Sequence, residues 1–224
     1  MSGPIVVINP NSTEAVTAAI DVAMTPLRLE GGPDIVCQTL HDGPPGIESQ
    51  HDADSVIEPL CRTIAAQDNV ASAFVIACFS DPGLYSAREA AAKPVLGIAE
   101  CGIFTALTLG HRFGVISILK RSVPRHLRYI GAMGVGGRLA ADLPIDLGVV
   151  ELADMGATMS RMKDVAFRLR DAHGADVLVM GCAGMARYRD ELEAAVRLPV
   201  VEPTQAAVTM ALGRVRLGWG AALR

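Results

Sequence analysis

Short apolar runs alternate along nearly the whole chain with longer stretches whose apolar residues recur every three or four positions. In the first half, residues 5–8, 35–39, 73–77 and 94–98 read as buried strands. In the second half, residues 113–117, 145–150 (Ile145, Leu147, Val149, Val150), 177–180 and 200–201 do so. Helices are expected between them. Val16, Ile20, Met24 and Leu27 keep helical spacing, and further helices are read over 53–67, from Pro82 onward, over 100–109 and 160–173, from Cys182 to about Val196, and over 205–216. Asn11, with Glu14 three residues on, has the form of a capping box, making Asn11 an N-cap. Asp81 is expected to cap the next helix, with Pro82 at its first position.

Strands alternating with helical stretches imply an α/β fold with parallel sheets. The order also repeats. Asn9 to Cys78 spans 69 residues and Ser117 to Cys182 spans 65, each running from a polar strand end to a cysteine at the end of a later strand. Identity between the halves is weak, so the repeat reads as structural duplication rather than a short-period solenoid.

The two cysteines are the main chemical signal. Cys78 ends the run Ala73-Phe74-Val75-Ile76-Ala77 and precedes Phe79-Ser80-Asp81-Pro82-Gly83. Cys182 ends Val177-Leu178-Val179-Met180-Gly181 and precedes Ala183-Gly184-Met185. Ligands of open parallel sheets bind at this carboxyl edge. Both positions are read as preceding a helix N-terminus, where backbone N–H groups would favour a thiolate. Free cysteine is also a common core residue, and that role is assigned to Cys37, Cys61 and Cys101.

Composition narrows the classes. Half of the 224 residues are hydrophobic, enough for a sizeable core in one large domain or two small lobes. A net charge of −4 offers no basic surface for nucleic acid. Apolar stretches are interrupted well before a membrane-spanning length, and the start lacks the form of a secretory signal. Five cysteines without a Cys-x-x-Cys suit reduced thiols, hence a cytoplasmic location. The expected partners are a small-molecule substrate and further copies of the chain in a homo-oligomer, with no nucleic acid and no membrane.

Other chemistry finds little support. The glycine-rich segment 131–137 follows no strand and reads as a flexible loop. No Walker, His-Glu-x-x-His or Gly-x-Ser-x-Gly motif occurs. The five histidines are scattered, and no metal site is expected; His41-Asp42 and His51-Asp52 read as solvated turns. Lys120 is the one Schiff-base candidate, but no phosphate site accompanies it. Arg121, Arg125 and Arg128 read as a solvated helix face, with Arg121 close enough to the sheet edge to meet an anion.

Taken together, Ile8-Asn9-Pro10-Asn11-Ser12-Thr13, Ala77-Cys78-Phe79-Ser80-Asp81-Pro82-Gly83 and Gly181-Cys182-Ala183-Gly184-Met185 resemble the signature segments of hydantoin racemases, within the aspartate/glutamate racemase superfamily. Gly43-Pro44 through Ile47-Glu48, Gly110-His111-Arg112-Phe113 and Arg121-Ser122-Val123-Pro124 match the same pattern. The resemblance covers nearly the whole chain. It departs at Ser117-Ile118, where the family often has Thr-Thr, and at Val201-Glu202-Pro203-Thr204. It implies two pseudo-symmetric parallel-sheet α/β lobes with the site in the cleft between them, no cofactor, and a C-terminal helix packed back on the first lobe. The expected division is 1–98 plus 205–224 for the first lobe and 99–204 for the second.

The expected activity is racemisation of a 5-substituted hydantoin or related ureide such as allantoin, with Cys78 and Cys182 as acid and base on opposite faces of one carbon. The oxyanion would be met by backbone N–H groups around Phe79, Ser80, Ala183 and Gly184, with Asn9 and Ser117 opposite and Arg121 at the edge. Asn9 reads equally as a turn residue. The resemblance adds Asn11, Ile47 and Ile118 as substrate-binding positions. Three alternatives stand beside this one. A free aspartate- or glutamate-type racemase would want cations for the α-carboxylate. An arylmalonate-type decarboxylase would need only one cysteine. A non-catalytic two-lobed binding protein would have no use for paired thiols.

Overall fold

The computed structural model describes residues 3–219; the last five residues of the expected first lobe, 220–224, lie outside them. Its framework is two four-stranded parallel sheets. In chain order the first contains β1 (Ile5–Asn9), β2 (Ile35–Thr39), β3 (Ala73–Ile76) and β4 (Val95–Gly97), arranged β2-β1-β3-β4. The second contains β5 (Phe113–Ser117), β6 (Leu139–Pro144), β7 (Val177–Met180) and β8 (Val200–Val201), arranged β6-β5-β7-β8. Every pairing is parallel. The matching strand orders agree with the duplication read from spacing.

The central strands β1, β3, β5 and β7 are buried along their full lengths. Helices cover both faces of such sheets, so their strands need continuous apolar runs rather than alternation. That is why the sequence located them. The helices are α1 (Glu14–Ala23), α2 (Gln50–Ser55), α3 (Ile57–Gln67), α4 (Leu84–Ala90), α5 (Ile98–Leu109), α6 (Val123–Ala132), α7 (Met155–Asp171), α8 (Arg189–Val196) and α9 (Pro203–Leu217). Helix α9 packs on α5 and on β1, β3 and β4. One buried cluster joins residues of the two sheets, among them Val7 and Val75 of the first, Ile116 and Met180 of the second, and Ala207 and Val208 of α9.

Several local expectations are corrected. The strand read at 145–150 lies earlier, as β6. This edge strand carries the mixed sequence Leu-Ala-Ala-Asp-Leu-Pro and buries only Asp142 fully, so it lacks an apolar signature. Ile145, Leu147 and Val149 are buried, but from a loop that continues beyond the sheet, with the Ile145 and Leu147 N–H groups donating to the Ser117 and Ile118 carbonyls. The single helix read over 53–67 is two, α2 and α3, meeting at Val56. Helix α7 begins at Met155, capped by Asp154, rather than at 160. The glycine-rich segment ends in a short 3-10 turn, Gly136–Arg138. Asn11 is not a cap: Thr13 holds that position, and the Asn11 amide oxygen instead accepts from the Thr13 N–H at 3.0 Å.

Asp81 departs most usefully from its expected role. Helix α4 begins only at Leu84, behind the left-handed Gly83. Asp81 itself has φ 41°, a conformation that aspartate tolerates better than most residues. Its carboxylate caps a different helix, accepting from the Ala99 and Glu100 N–H groups of α5 at 2.9 and 2.8 Å. The Tyr129 hydroxyl of α6 donates to it at 2.6 Å. Gly97 leaves the space, since a Cβ there would lie 2.2 Å from the carboxyl carbon.

Asp81→Ala should therefore lose a helix cap and strand the Tyr129 hydroxyl, a cost of about 2–4 kcal/mol. Denaturant unfolding measures it. A loss under about 0.5 kcal/mol, the size of a neutral surface change, would contradict the role given to this carboxylate.

Candidate active site

The carboxyl ends of the four central strands converge on one narrow cavity. Cys78 lies two residues past β3 and Cys182 two residues past β7, and both line it. Two glycines shape the second thiol's surroundings. A Cβ on Gly181 would lie 2.6 Å from the Ile116 carbonyl oxygen, so glycine lets the chain turn close against β5. A Cβ on Gly184 would lie 3.6 Å from the Cys182 Sγ, so glycine there keeps the thiol open. Cys37, Cys61 and Cys101 sit on β2, α3 and α5, away from the cavity.

The cavity also receives Asn11, Ile47, Phe79, Ser80, Ile118, Ala183 and Gly184, seven of the positions expected from sequence. Asn9, Ser117 and Arg121 do not line it. The buried Asn9 amide donates to Asn11 Oδ1 and Thr17 Oγ1, both at 3.0 Å, and so orders the loop after β1. Ser117 is wholly buried between His126 and Asp142, donating to the Asp142 carboxylate and lying 3.0 Å from His126 Nδ1. The Arg121 side chain is largely exposed and pairs with Glu48.

Glu48 and Arg121 instead help close the rim. The other Glu48 carboxylate oxygen accepts from the Val149 N–H at 2.9 Å, tying the loop before α2 to the loop after β6. Gly46 permits this approach, since a Cβ there would lie 2.8 Å from the Val149 Cβ. Asp52, one of the turn residues considered for a metal, completes a capping box with Ser49 on α2.

Three polar wall residues lie outside the positions expected from sequence: Ser122, Arg125 and His126. They stand at i, i+3 and i+4 around the start of α6, so one helix face carries them all. Arg125, expected on a solvated helix face, is 8% exposed, and its Nε donates to the Ser80 Oγ at 2.8 Å. His126 is anchored through Nδ1, 2.9 Å from Asp142 Oδ2, and its ring meets Phe79 edge-on with centroids 5.2 Å apart. The available signal was the spacing of polar residues just inside a proline-marked helix start.

The expected thiolates are also corrected. Burial pushes the Cys78 thiol up to about 11, against the pull of the Ser80 N–H and the Arg125 guanidinium. Burial pushes Cys182 up to about 12; the Gly184 N–H opposes it, while Cys78, Glu48 and Glu202 add to it. Helix α4 starts too late to act on Cys78, and Cys182 precedes only a 3-10 turn, Ala183–Tyr188. Desolvation outweighs the local donors at both sites. Asp81 is likewise raised, to about 6, by burial against the pull of Tyr129 and the α5 N–H groups.

The fold and this paired site define a class, and comparison with known proteins supplies its name. The Asp/Glu/Hydantoin racemase family matches residues 5–211. The chain belongs to that family and is an isomerase of the racemase type. It is 35% identical to a hydantoin racemase of Rhizobium meliloti, covering 95% of this chain and 88% of that one. It is 34% identical to a hydantoin racemase of Pseudomonas sp. (strain NS671), covering 95% and 86%. Among solved structures, allantoin racemase from Klebsiella pneumoniae superposes with a TM-score of 0.93 at 31% identity, covering 99% of this chain and 91% of that one. Among the described residues, no helix is long and apolar enough to cross a membrane.

A raised thiol pKa means that both site thiols are protonated at neutral pH, and thiolate grows about tenfold per pH unit below the pKa. Iodoacetamide labelling, followed by peptide mass spectrometry, should accelerate from pH 7 through pH 9 without levelling. Cys78 should react ahead of Cys182. A plateau below pH 8 at either residue would contradict the desolvated site.

Proposed function

We propose that this protein interconverts the enantiomers of a 5-substituted hydantoin or a related cyclic ureide such as allantoin, with one of Cys78 and Cys182 taking the α-proton and the other delivering a proton to the opposite face. The observation that carries the reading is the delivery of two thiols, from matching strand ends of two equivalent sheets, to one cavity.

In such a ring the reacting C–H lies between a carbonyl and a ring nitrogen. One sulfur, as thiolate, takes the proton: the C–H bond breaks, an S–H bond forms, the C–H pair becomes the C=C bond of an enolate, and the carbonyl π pair moves to oxygen. The other sulfur, as thiol, returns a proton to the opposite face. The two roles exchange with the enantiomer bound. The ring carbonyl itself accepts the electron pair, so the reaction needs no separate electron sink. The high thiol pKa values make the populated thiolate scarce but strongly basic, which suits a weak carbon acid.

Arg125 in the cavity favours a second reading, racemisation of a free aspartate- or glutamate-type amino acid, because it could meet an α-carboxylate. The same wall argues against it. No aspartate, glutamate or lysine side chain is among the described residues lining the cavity, so an α-ammonium would be desolvated without a partner. A neutral ring avoids that cost. Decarboxylation of the arylmalonate kind leaves one of the two thiols without a task.

Wild-type protein should racemise enantiopure substrate and exchange its α-proton in deuterium oxide. Cys78→Ser and Cys182→Ser should each lose turnover by at least about a hundredfold, the scale of a positioned acid–base group. Each should retain exchange with one enantiomer only, and the two variants with opposite ones. Polarimetry and proton NMR read both quantities, and near-normal racemisation by either variant would rule out the two-thiol reaction.

A further inference from the structure

Two polar groups on the α6 wall are incomplete. Arg125 is buried, yet among the described residues it forms no ion pair with a carboxylate; its Nε donates to the neutral Ser80 hydroxyl. A desolvated guanidinium is unfavourable until an anion completes it. Three residues earlier, on the same helix face, Ser122 is 1% exposed and its Oγ has no hydrogen-bond partner. Both residues line the cavity that holds the thiols. The nearby group that can supply negative charge from the protein itself is Cys78, with which Arg125 is electrostatically coupled. The carboxylates adjoining α6 are otherwise engaged: Asp142 with His126 and Ser117, Asp81 with α5 and Tyr129, Asp52 with the Ser49 cap, and Glu48 with Arg121.

We infer that Arg125 and Ser122 form a two-point clamp for the carbonyl oxygen of the substrate, holding the negative charge that develops there whichever thiol removes the proton. The inference rests on the racemase reading and specifies its substrate: a neutral, planar group with a carbonyl beside the reacting carbon. When the C–H bond breaks, its electron pair forms the C=C bond of an enolate, and the carbonyl π pair moves to oxygen. That oxygen meets the Arg125 cation and the Ser122 hydroxyl, while the proton resides on sulfur. Reprotonation at carbon reverses each change. Before substrate binds, the same guanidinium lowers the cost of ionising Cys78, so one cation serves successive anions. The clamp stands apart from both cysteines in one respect. The enolate is common to proton removal from either enantiomer, so loss of the clamp slows α-proton exchange from both alike, whereas loss of a cysteine spares exchange from one of them.

The test uses the full chain with Arg125→Met, Arg125→Lys and Ser122→Ala, and Arg128→Met as an exposed control on the same helix. Three readouts are taken: kcat and KM for each enantiomer of a 5-substituted hydantoin and of allantoin, α-proton exchange of each enantiomer in deuterium oxide, and the substrate-free rate of iodoacetamide labelling at Cys78. Arg125→Met should lose about a hundredfold or more in kcat and in α-proton exchange from both enantiomers, the scale of removing one oxyanion donor. It should also label Cys78 several-fold more slowly at pH 8. Arg125→Lys should recover part of both losses. Ser122→Ala should lose about tenfold in kcat with labelling unchanged. Arg128→Met should match wild type.

Arg125→Met within threefold of wild type in kcat, or losing α-proton exchange from one enantiomer only, would overturn the clamp while leaving the racemase reading intact. A wild-type protein inactive on every hydantoin and ureide would instead overturn that reading and the carbonyl role with it; slower labelling in Arg125→Met would then still support the pairing of Arg125 with the Cys78 anion. If Arg125→Met fails to fold, Arg125→Lys and Ser122→Ala decide the matter, since wild-type kcat in both would overturn the clamp.

Discussion

The Asp81 carboxylate holds three parts of the molecule in register. It lies three residues past Cys78, caps the start of α5 and accepts the hydroxyl of Tyr129 on α6. Helix α6 also carries Ser122 at its cap and Arg125 and His126 in its first turn. A single buried group thus sets the Cys78 loop against the helix that forms the polar wall of the cavity. Gly97 provides the space and Asp81 accepts a left-handed backbone to occupy it. The second half reaches its thiol by other means, with Gly181 allowing the turn against β5 and Gly184 leaving the sulfur uncovered. Equivalent strand order therefore does not require equivalent anchoring.

Closure of the cavity carries an electrostatic consequence. The Gly46–Val149 approach and the Glu48 contacts bring the rim together, and the thiols lose solvent. Each sulfur retains a backbone donor, and Cys78 also has Arg125, but neither is enough to restore an ordinary pKa. The scarcity of thiolate is the counterpart of basicity: a sulfur anion that is costly to form is also a stronger acceptor for a carbon-bound proton. The cation beside Cys78 makes the two thiols inequivalent in the free protein.

The sequence was most informative where burial is two-sided. The runs Ile5–Asn9, Ala73–Ile76 and Val177–Met180 are central strands, and their apolar continuity leaves few alternatives. It was least informative at edges. Strand β6 owes its place to pairing with β5 and to the buried Asp142 network, neither visible in a mixed six-residue stretch, and the stronger apolar pattern at 145–149 packs as a loop. The cysteine positions at strand ends were legible, and the structure brings both to the cavity. Arg125 was not, because three arginines near a helix start fit a solvated face equally well until tertiary packing buries one of them. Ser117 failed for a similar reason: a hydroxyl at a strand end looks available until Asp142 and His126 arrive from elsewhere in the chain to engage it.

The central claim is that two different groups handle the two faces of one carbon. Deuterium content of product and residual substrate, measured early in the reaction of one enantiomer in deuterium oxide, tests it most directly. Two separate thiols predict product carrying solvent deuterium at the α-carbon from the first turnover, while unconverted substrate keeps its protium. Product that retains substrate-derived protium would show one group returning the same proton, and would contradict the account.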